Sequence, residues 1–257
     1  MTNEDMRKIV VEQQDGVMLI RIQRPDKKNA LTRVMYAGLT AALTEAEHDP
    51  AVRAAVLTGS GDSFTSGNDI ADFLSAPPAS ADSPVFQFLA ALRQFGKPLI
   101  AAVNGVAVGI GVTLLLHCDL IYVQAGAILQ LPFVNLGLCP EAGASLLLPR
   151  RIGHPRAAEL LLLGEPFSAE QALDWGLING IGVDAGATLE LAMAKAQRLA
   201  QQPPAAVRLT KALLKRAEAE ETRDTIALES RHFMEQLASP EAQAVLQAFM
   251  ERGRLRQ

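Results

Sequence analysis

Over its first two thirds the chain alternates short apolar runs with glycine-rich breaks, and then changes to longer stretches with apolar residues at helical spacing. Residues 9–11 and 17–22 flank Asp15-Gly16, and two apolar segments around such a pair predict a β-hairpin. After RPDKKNAL, Thr32 is placed to cap a helix through Ala46, with Met35, Leu39 and Leu43 on one face. Residues 51–58 predict a buried strand ending in the loop GSGDSFTSGND, and residues 77–84 read as a flexible surface connection before a helix to about Phe95. A strand over 99–103, a glycine-spaced turn, a helix near 112–117 and a strand over 120–123 follow, and this alternation predicts an α/β core. From Ser168, which forms a capping box with Gln171, helical spacing continues to Met250 with breaks at Pro203-Pro204 and Pro240. Residues 1–190 are therefore expected to form the α/β core and residues 191–257 a helical C-terminal module.

Composition narrows the function classes. A chain of 257 residues that is 49% hydrophobic can bury a large core. Net charge is −4 and no basic stripe is interleaved with aromatics, which argues against nucleic acid as a partner. The longest apolar runs, such as 99–103 and 160–163, are too short to span a bilayer, and the start MTNEDMRKIV lacks a signal-peptide core. The ending RLRQ is not a peroxisomal address. A cytoplasmic location without membrane attachment is expected. Cys118 and Cys139 then read as reduced, buried thiols rather than a disulfide. His48, His117, His154 and His232 show no metal-ligand spacing, and His117 reads as a hydrogen-bonded core residue.

One residue stands out against this background. Glu141 is the only charged or histidine residue between Asp119 and Arg150. A carboxylate in such apolar text must find a partner or accept a raised pKa, and a poorly solvated glutamate suits proton abstraction from carbon. The alternative is structural: a first-turn glutamate of a helix starting after Pro140, stabilised by the helix dipole. Two glycine turns follow strands, at Gly59-Ser60-Gly61 and at Gly105, Gly109 and Gly111, but neither completes a dinucleotide fingerprint, and no P-loop or nucleophile elbow is present. Such turns expose main-chain N–H groups, and the second also opens a helix, whose N-terminus favours negative charge.

At this point the residues resemble a known family. FTSGNDI (64–70) followed by KPLIAAVNGVAVGIGVTLLLHCDLIYV (97–123) is similar to the crotonase, or enoyl-CoA hydratase/isomerase, superfamily. RPDKKNAL (24–31), NLGLCPEAGASLLLPRRIG (135–153), AEQALDWGLIN (169–179) and AFMERGRLRQ (248–257) extend the likeness along the chain in family order. The resemblance implies a spiral ββα crotonase core with a helical C-terminal module, and an acyl-CoA thioester as substrate. No separate cofactor is implied, coenzyme A arriving as part of the thioester.

Carried over residue by residue, it implies that the backbone N–H groups of Asn68 and Ile110 form an oxyanion hole. The family's hydratases use two glutamates, and the matching positions here are Thr113 and Phe133. Thr113, a hydroxyl on a helix, is expected to bond its own backbone. Glu141 matches instead the single base of the Δ3,Δ2-enoyl-CoA isomerases, so catalysis is assigned to Glu141, Asn68 and Ile110. Relatives that isomerise ring-epoxide or other unusual acyl-CoA thioesters, and a member that binds acyl-CoA without turning it over, are the alternatives. For coenzyme A the resemblance implicates Arg24, Lys27, Lys28, Ser66, Asp69 and Ile70, with Phe249 and Arg252 supplied by a neighbouring subunit of a homotrimer or dimer of trimers. Thr113, Phe133, Leu136 and Leu138 are expected on the acyl side.

Overall fold

The N-terminal hairpin forms as its turn predicts. Strands β1 (Ile9–Gln14) and β2 (Val17–Ile22) pair antiparallel across Asp15 and Gly16, both at positive φ (52° and 79°). The computed structural model describes residues 8–80 and 82–254. Helix α1 (Arg33–His48) starts where Thr32 accepts the Met35 N–H, and it buries Met35, Leu39 and Leu43.

Beyond α1 the chain repeats one pattern: a strand, a second strand within a few residues, then helix. The first turn of the pattern is β3 (Ala54–Gly59), β4 (Ser63–Thr65), α2 (Ile70–Ser75) and α3 (Pro84–Gln94). The second is β5 (Leu99–Val103), β6 (Val106–Val108) and α4 (Ile110–Thr113), which tightens into a 3-10 turn through His117. The third is β7 (Leu120–Gln124), β8 (Ile128–Gln130), α5 (Ala144–Ile152) and α6 (His154–Leu163). Then follow β9 (Pro166–Ser168), α7 (Ala169–Asp174), β10 (Gly180–Gly182) and α8 (Ala185–Ala200). The chain closes with α9 (Pro204–Arg216), α10 (Ala219–Leu237) and α11 (Pro240–Arg254).

The first strand of each unit joins a sheet ordered β1-β2-β3-β5-β7-β10, and the second joins a sheet ordered β4-β6-β8-β9. From β2 onward the first sheet is parallel, and so is the second except at β8–β9. Links this short cannot return a strand beside its predecessor in parallel, so each second strand must leave for the other sheet. This is the mixed α/β spiral expected of the sequence. Every residue of β3 and β5 is buried, which is why those segments read as continuous apolar runs rather than alternating ones.

The predicted division near residue 190 needs correction. It falls inside α8, which covers the outer face of the first sheet through Ala192 and Ala196, packed with Val17, Val56 and Ile100. Phe233, Leu237, Ala242 and Leu246 of α10 and α11 join the main core, so the C-terminal helices share it. Two lysines fasten α9 to the sheets. Lys211 Nζ donates to the Lys97 carbonyl (2.6 Å) and Asp119 Oδ2 (2.7 Å), and Lys215 Nζ to the His117 carbonyl (2.7 Å). Both sit on a helix whose sequence reads as amphipathic surface, so nothing in the spacing announces these anchors.

The links between the two sheets pack tightly at Gly105, between β5 and β6. Its φ is +59°, and a Cβ there would lie 1.8 Å from the Asp62 carbonyl oxygen. Gly105→Ala combines left-handed strain with a backbone clash and is expected to cost about 2–5 kcal/mol. Urea unfolding measures it; an unchanged midpoint would show that the junction relaxes freely.

Candidate active site

Parallel pairing of β4 with β6 sets the two turns that follow them side by side. Bare glycines permit the approach: a Cβ on Gly67 (φ +93°) would lie 3.0 Å from the Val108 carbonyl oxygen. One on Gly111 would lie 2.8 Å from Thr65 Cγ2. Leu31 donates to the Gly67 carbonyl (2.8 Å) and accepts the Asp69 N–H (2.9 Å). Successive amides of an extended segment alternate in direction, so the Asn68 N–H turns away from Leu31. Ile110 opens α4, and the first N–H of a helix has no carbonyl one turn back. Asn68 and Ile110 both line a cavity of 660 Å³.

Of the other residues anticipated here, Lys27, Ser66, Asp69 and Ile70 line the same cavity, as do Phe133, Leu136 and Leu138. Phe249 also lines it, from α11 of the same chain, so it needs no second subunit to reach the cavity. The Arg252 side chain lies outside the described residues. Arg24 and Lys28 do not line the cavity. Lys28 is exposed, whereas Arg24 Nη1 is held by Asp69 Oδ2 (2.6 Å) and the Ala30 carbonyl (3.0 Å). Burial works to raise the Asp69 pKa, but the Asp72 N–H and Arg24 outweigh it and hold the carboxyl below its ordinary value. Asn29, buried at φ 56°, fastens this segment to the next by donating to the Ser60 (2.9 Å) and Ser63 (2.5 Å) carbonyls.

Glu141 is 7% exposed and lies ahead of α5, not in its first turn. Two left-handed residues separate them, Ala142 (φ 61°) and Gly143 (φ 77°). Glu141 does not itself line the cavity, although Ile110, on the helix that carries Thr113, and Leu138, three residues before it, do. The Thr113 hydroxyl donates to Glu141 Oε1, correcting the expectation that it bonds its own helix. The Glu141 pKa is raised to about 8, chiefly by burial; the Thr113 hydrogen bond lowers it and the charge of Glu229 raises it further.

Further groups complete the surroundings. His117 Nε2 donates to the Ala142 carbonyl (2.7 Å), which fixes its tautomer because that oxygen can only accept. Burial drives its pKa down to about 4, so His117 is neutral and acts as the core residue the sequence predicts. Cys118 is buried and Cys139 half-buried, both free; burial first, then the Glu229 charge, pushes the Cys139 thiol up to about 11. Neither is a thiolate nucleophile at neutral pH. Tyr36, fully buried on α1, donates to Asn68 Oδ1 (2.5 Å); burial and then the nearby Glu141 raise its pKa.

Sequence reading did not select Tyr36, Asn29 or Glu229. For Glu229 a signal existed: it occupies an apolar position in the stripe Ile226, Glu229, Phe233, Leu237 on α10. For Tyr36 there is only a phenol on an apolar helix face, which is unremarkable.

Comparison with known proteins decides the family. A model of the enoyl-CoA hydratase/isomerase family matches residues 12–256. The chain belongs to the enoyl-CoA hydratase/isomerase family. Enoyl-CoA delta isomerase 2 of Rattus norvegicus is 35% identical over 84% of this chain, which spans 56% of the rat protein's length. The 1,2-epoxyphenylacetyl-CoA isomerase of Escherichia coli is 37% identical over 83% of this chain and 84% of its own. The structure of Pseudomonas aeruginosa OdaA superposes with a TM-score of 0.92 at 55% identity, covering 95% of this chain and 98% of that one. No helix among the described residues is long and apolar enough to cross a membrane.

The buried carboxyl has a consequence for stability. Unfolded, Glu141 ionises near its ordinary 4.5; folded, it keeps its proton to about 8. Its contribution is therefore full below 4.5 and is lost as pH rises toward 8. Glu141→Gln removes this titration and is expected to stabilise the protein at pH 8 by on the order of 2–4 kcal/mol relative to its effect at pH 4.5. Equal urea midpoint shifts at the two pH values would refute it.

Proposed function

We propose that this member of the family is an acyl-CoA isomerase that moves a double bond from the 3-enoyl to the 2-enoyl position, with Glu141 as its single base. The observation that carries the reading is one buried carboxyl with a pKa near 8, tied by Thr113 to the helix that begins at Ile110. In this reading the thioester oxygen lies between the N–H groups of Asn68 and Ile110, which form the oxyanion hole. Each such donor contributes roughly 2.7–4 kcal/mol to a developing oxyanion. Glu141 removes a proton from C2, the dienolate is held by the two N–H groups, and the same carboxyl returns the proton at C4. The step consumes no water and no redox partner, so it needs no cofactor beyond the coenzyme A of the substrate.

Water addition would require a second acid. Phe133 stands where the family's hydratases have one carboxylate, and the Thr113 hydroxyl is already committed to Glu141. At the other end of the thioester, Lys27 is the cation lining the cavity among the described residues, while Arg24 is paired with Asp69. Leu209, Leu213 and Leu214 expose their side chains on α9, which supports a homotrimer or dimer of trimers.

Two observations favour other readings. The E. coli relative is a 1,2-epoxyphenylacetyl-CoA isomerase, which makes cyclic or epoxide thioesters the second substrate class to test. Glu141 also lies outside the cavity lining, and a protein that only binds acyl-CoA needs no contact with it.

Assay of 3-enoyl-CoA conversion, with proton exchange at C2 followed in D₂O, separates these. Glu141→Gln is expected to lower kcat by a factor on the order of 10²–10⁴ while thioester binding persists. Full activity in that variant sinks the isomerase reading; binding without turnover in the parent supports the binding-only one. Parent kcat/KM is expected to climb with pH and level off above about 8, the Glu141 value. Thr113→Val removes a hydrogen bond that lowers the pKa and should move this limb to higher pH.

A further inference from the structure

Glu229 is a second carboxylate, 6% exposed, that the proton transfer does not use. It reaches from α10 to the start of α5. Its Oε2 accepts the Gly143 N–H (2.6 Å), and its Oε1 accepts the Ser145 N–H (2.9 Å) and hydroxyl (2.5 Å). These are the residues directly after the Glu141–Ala142 pair. We propose that Glu229 is the positioning residue for Glu141: it fastens the loop that carries the base and sets a fixed negative charge beside it. The proposal rests on the reading of Glu141 as the base.

The charge state follows from the contacts. Three donors face the Glu229 carboxyl: two are main-chain N–H groups that cannot accept a proton, and the Ser145 hydroxyl is the one that could turn to accept it. Burial holds its pKa above the ordinary value, and the donors from Ser145 and Gly143 offset part of that rise. The geometry favours the ion. What the ion does depends on the helix: the N-terminus of α5 is a positive pole, and a carboxyl next to it would ordinarily become more acidic. Glu229 occupies the Gly143 and Ser145 N–H groups, so that pole is neutralised before Glu141 meets it.

Other groups around Glu141 bring no charge. Tyr36 from α1 and Thr113 from α4 are neutral hydroxyls, His117 from the 3-10 turn is neutral, and Cys139 in the same loop is a thiol. The cations Lys215, Arg151 and Arg93 bear on His117. Among the described residues Glu229 is the one ionised group set against the base, and it raises the Glu141 pKa. The loop is held from three sides: Thr113 on the Glu141 carboxyl, His117 on the Ala142 carbonyl and Glu229 on the Gly143 N–H.

Glu229→Gln keeps the shape and one acceptor oxygen but removes the charge. The full chain is labelled with carbon-13 at glutamate carboxyls, and Glu141→Gln and Glu229→Gln assign the two signals. In Glu229→Gln the Glu141 midpoint is expected to fall by about one pH unit, a tenfold loss of proton affinity. The limb of kcat/KM for 3-enoyl-CoA should fall with it, and plateau kcat several-fold, with KM within about twofold. A folded Glu229→Gln whose Glu141 midpoint is unmoved overturns the proposal and leaves Glu229 a helix cap. If that variant does not fold, the parent titration decides: Glu229 must be ionised across the range where Glu141 titrates, and a Glu229 protonated there also overturns it. The carboxyl signals do not require turnover, so a shifted midpoint in a protein that isomerises no thioester supports the positioning and refutes only the isomerase reading.

Discussion

A carboxyl group with little access to water has to be compensated from elsewhere in the chain, and much of this molecule's local architecture follows from where Glu141 is kept. Its loop passes through two left-handed residues, one of them Ala142, where a side chain costs roughly 1–2 kcal/mol. The strain is held by hydrogen bonds to His117 and Glu229, which come from different elements: His117 donates to the Ala142 carbonyl and Glu229 accepts the Gly143 N–H. His117 stays neutral because it is buried, and Glu229 is satisfied by the N–H groups it caps. The Glu141 loop is thus braced by elements that precede and follow it in the chain.

The second constraint is steric. Each ββα unit sends one strand to each sheet, and the links are so short that backbones nearly touch where the sheets meet. Glycine is required for lack of room at that junction, Gly105 against Asp62, and again within the second sheet beyond β4 and β6, Gly67 against Val108 and Gly111 against Thr65. The same closeness brings the turns at Asn68 and Ile110 to one cavity wall. Tyr36, whose hydroxyl holds the Asn68 side chain, extends this wall into the α1 interface. On the proposed reading, a site made from main-chain groups is in this way built by packing, and the side chains at Asn68 and Ile110 are left to shape the cavity.

Electrostatics divides the cavity's surroundings. Arg24, a basic residue of the RPDKKNAL segment, is spent on Asp69, and that ion pair together with Asn29 ties the segment to the turn that carries Asn68. Lys27 keeps its place at the cavity. Around Glu141 the neighbours are apolar or neutral apart from Glu229, so a shifted proton affinity is the expected state of that carboxyl and not an anomaly.

The sequence by itself determined the strand–turn–helix alternation, the hairpin at Asp15-Gly16, the helix cap at Thr32 and the isolation of Glu141. These depend on neighbours within a few residues, whose spacing and backbone preferences are written locally. Its motifs also determined the family. Only the tertiary structure decided that Thr113 bonds Glu141 and not its own helix, that α8, α10 and α11 complete the core across the anticipated boundary, that Phe249 reaches the cavity from its own chain, and that Arg24 pairs with Asp69. Glu229 shows the reason most clearly. It meets the Glu141 loop across 84 and 86 positions of chain, and a contact of that range is fixed by how helices pack. No periodicity of the segment that contains it could have named its partner.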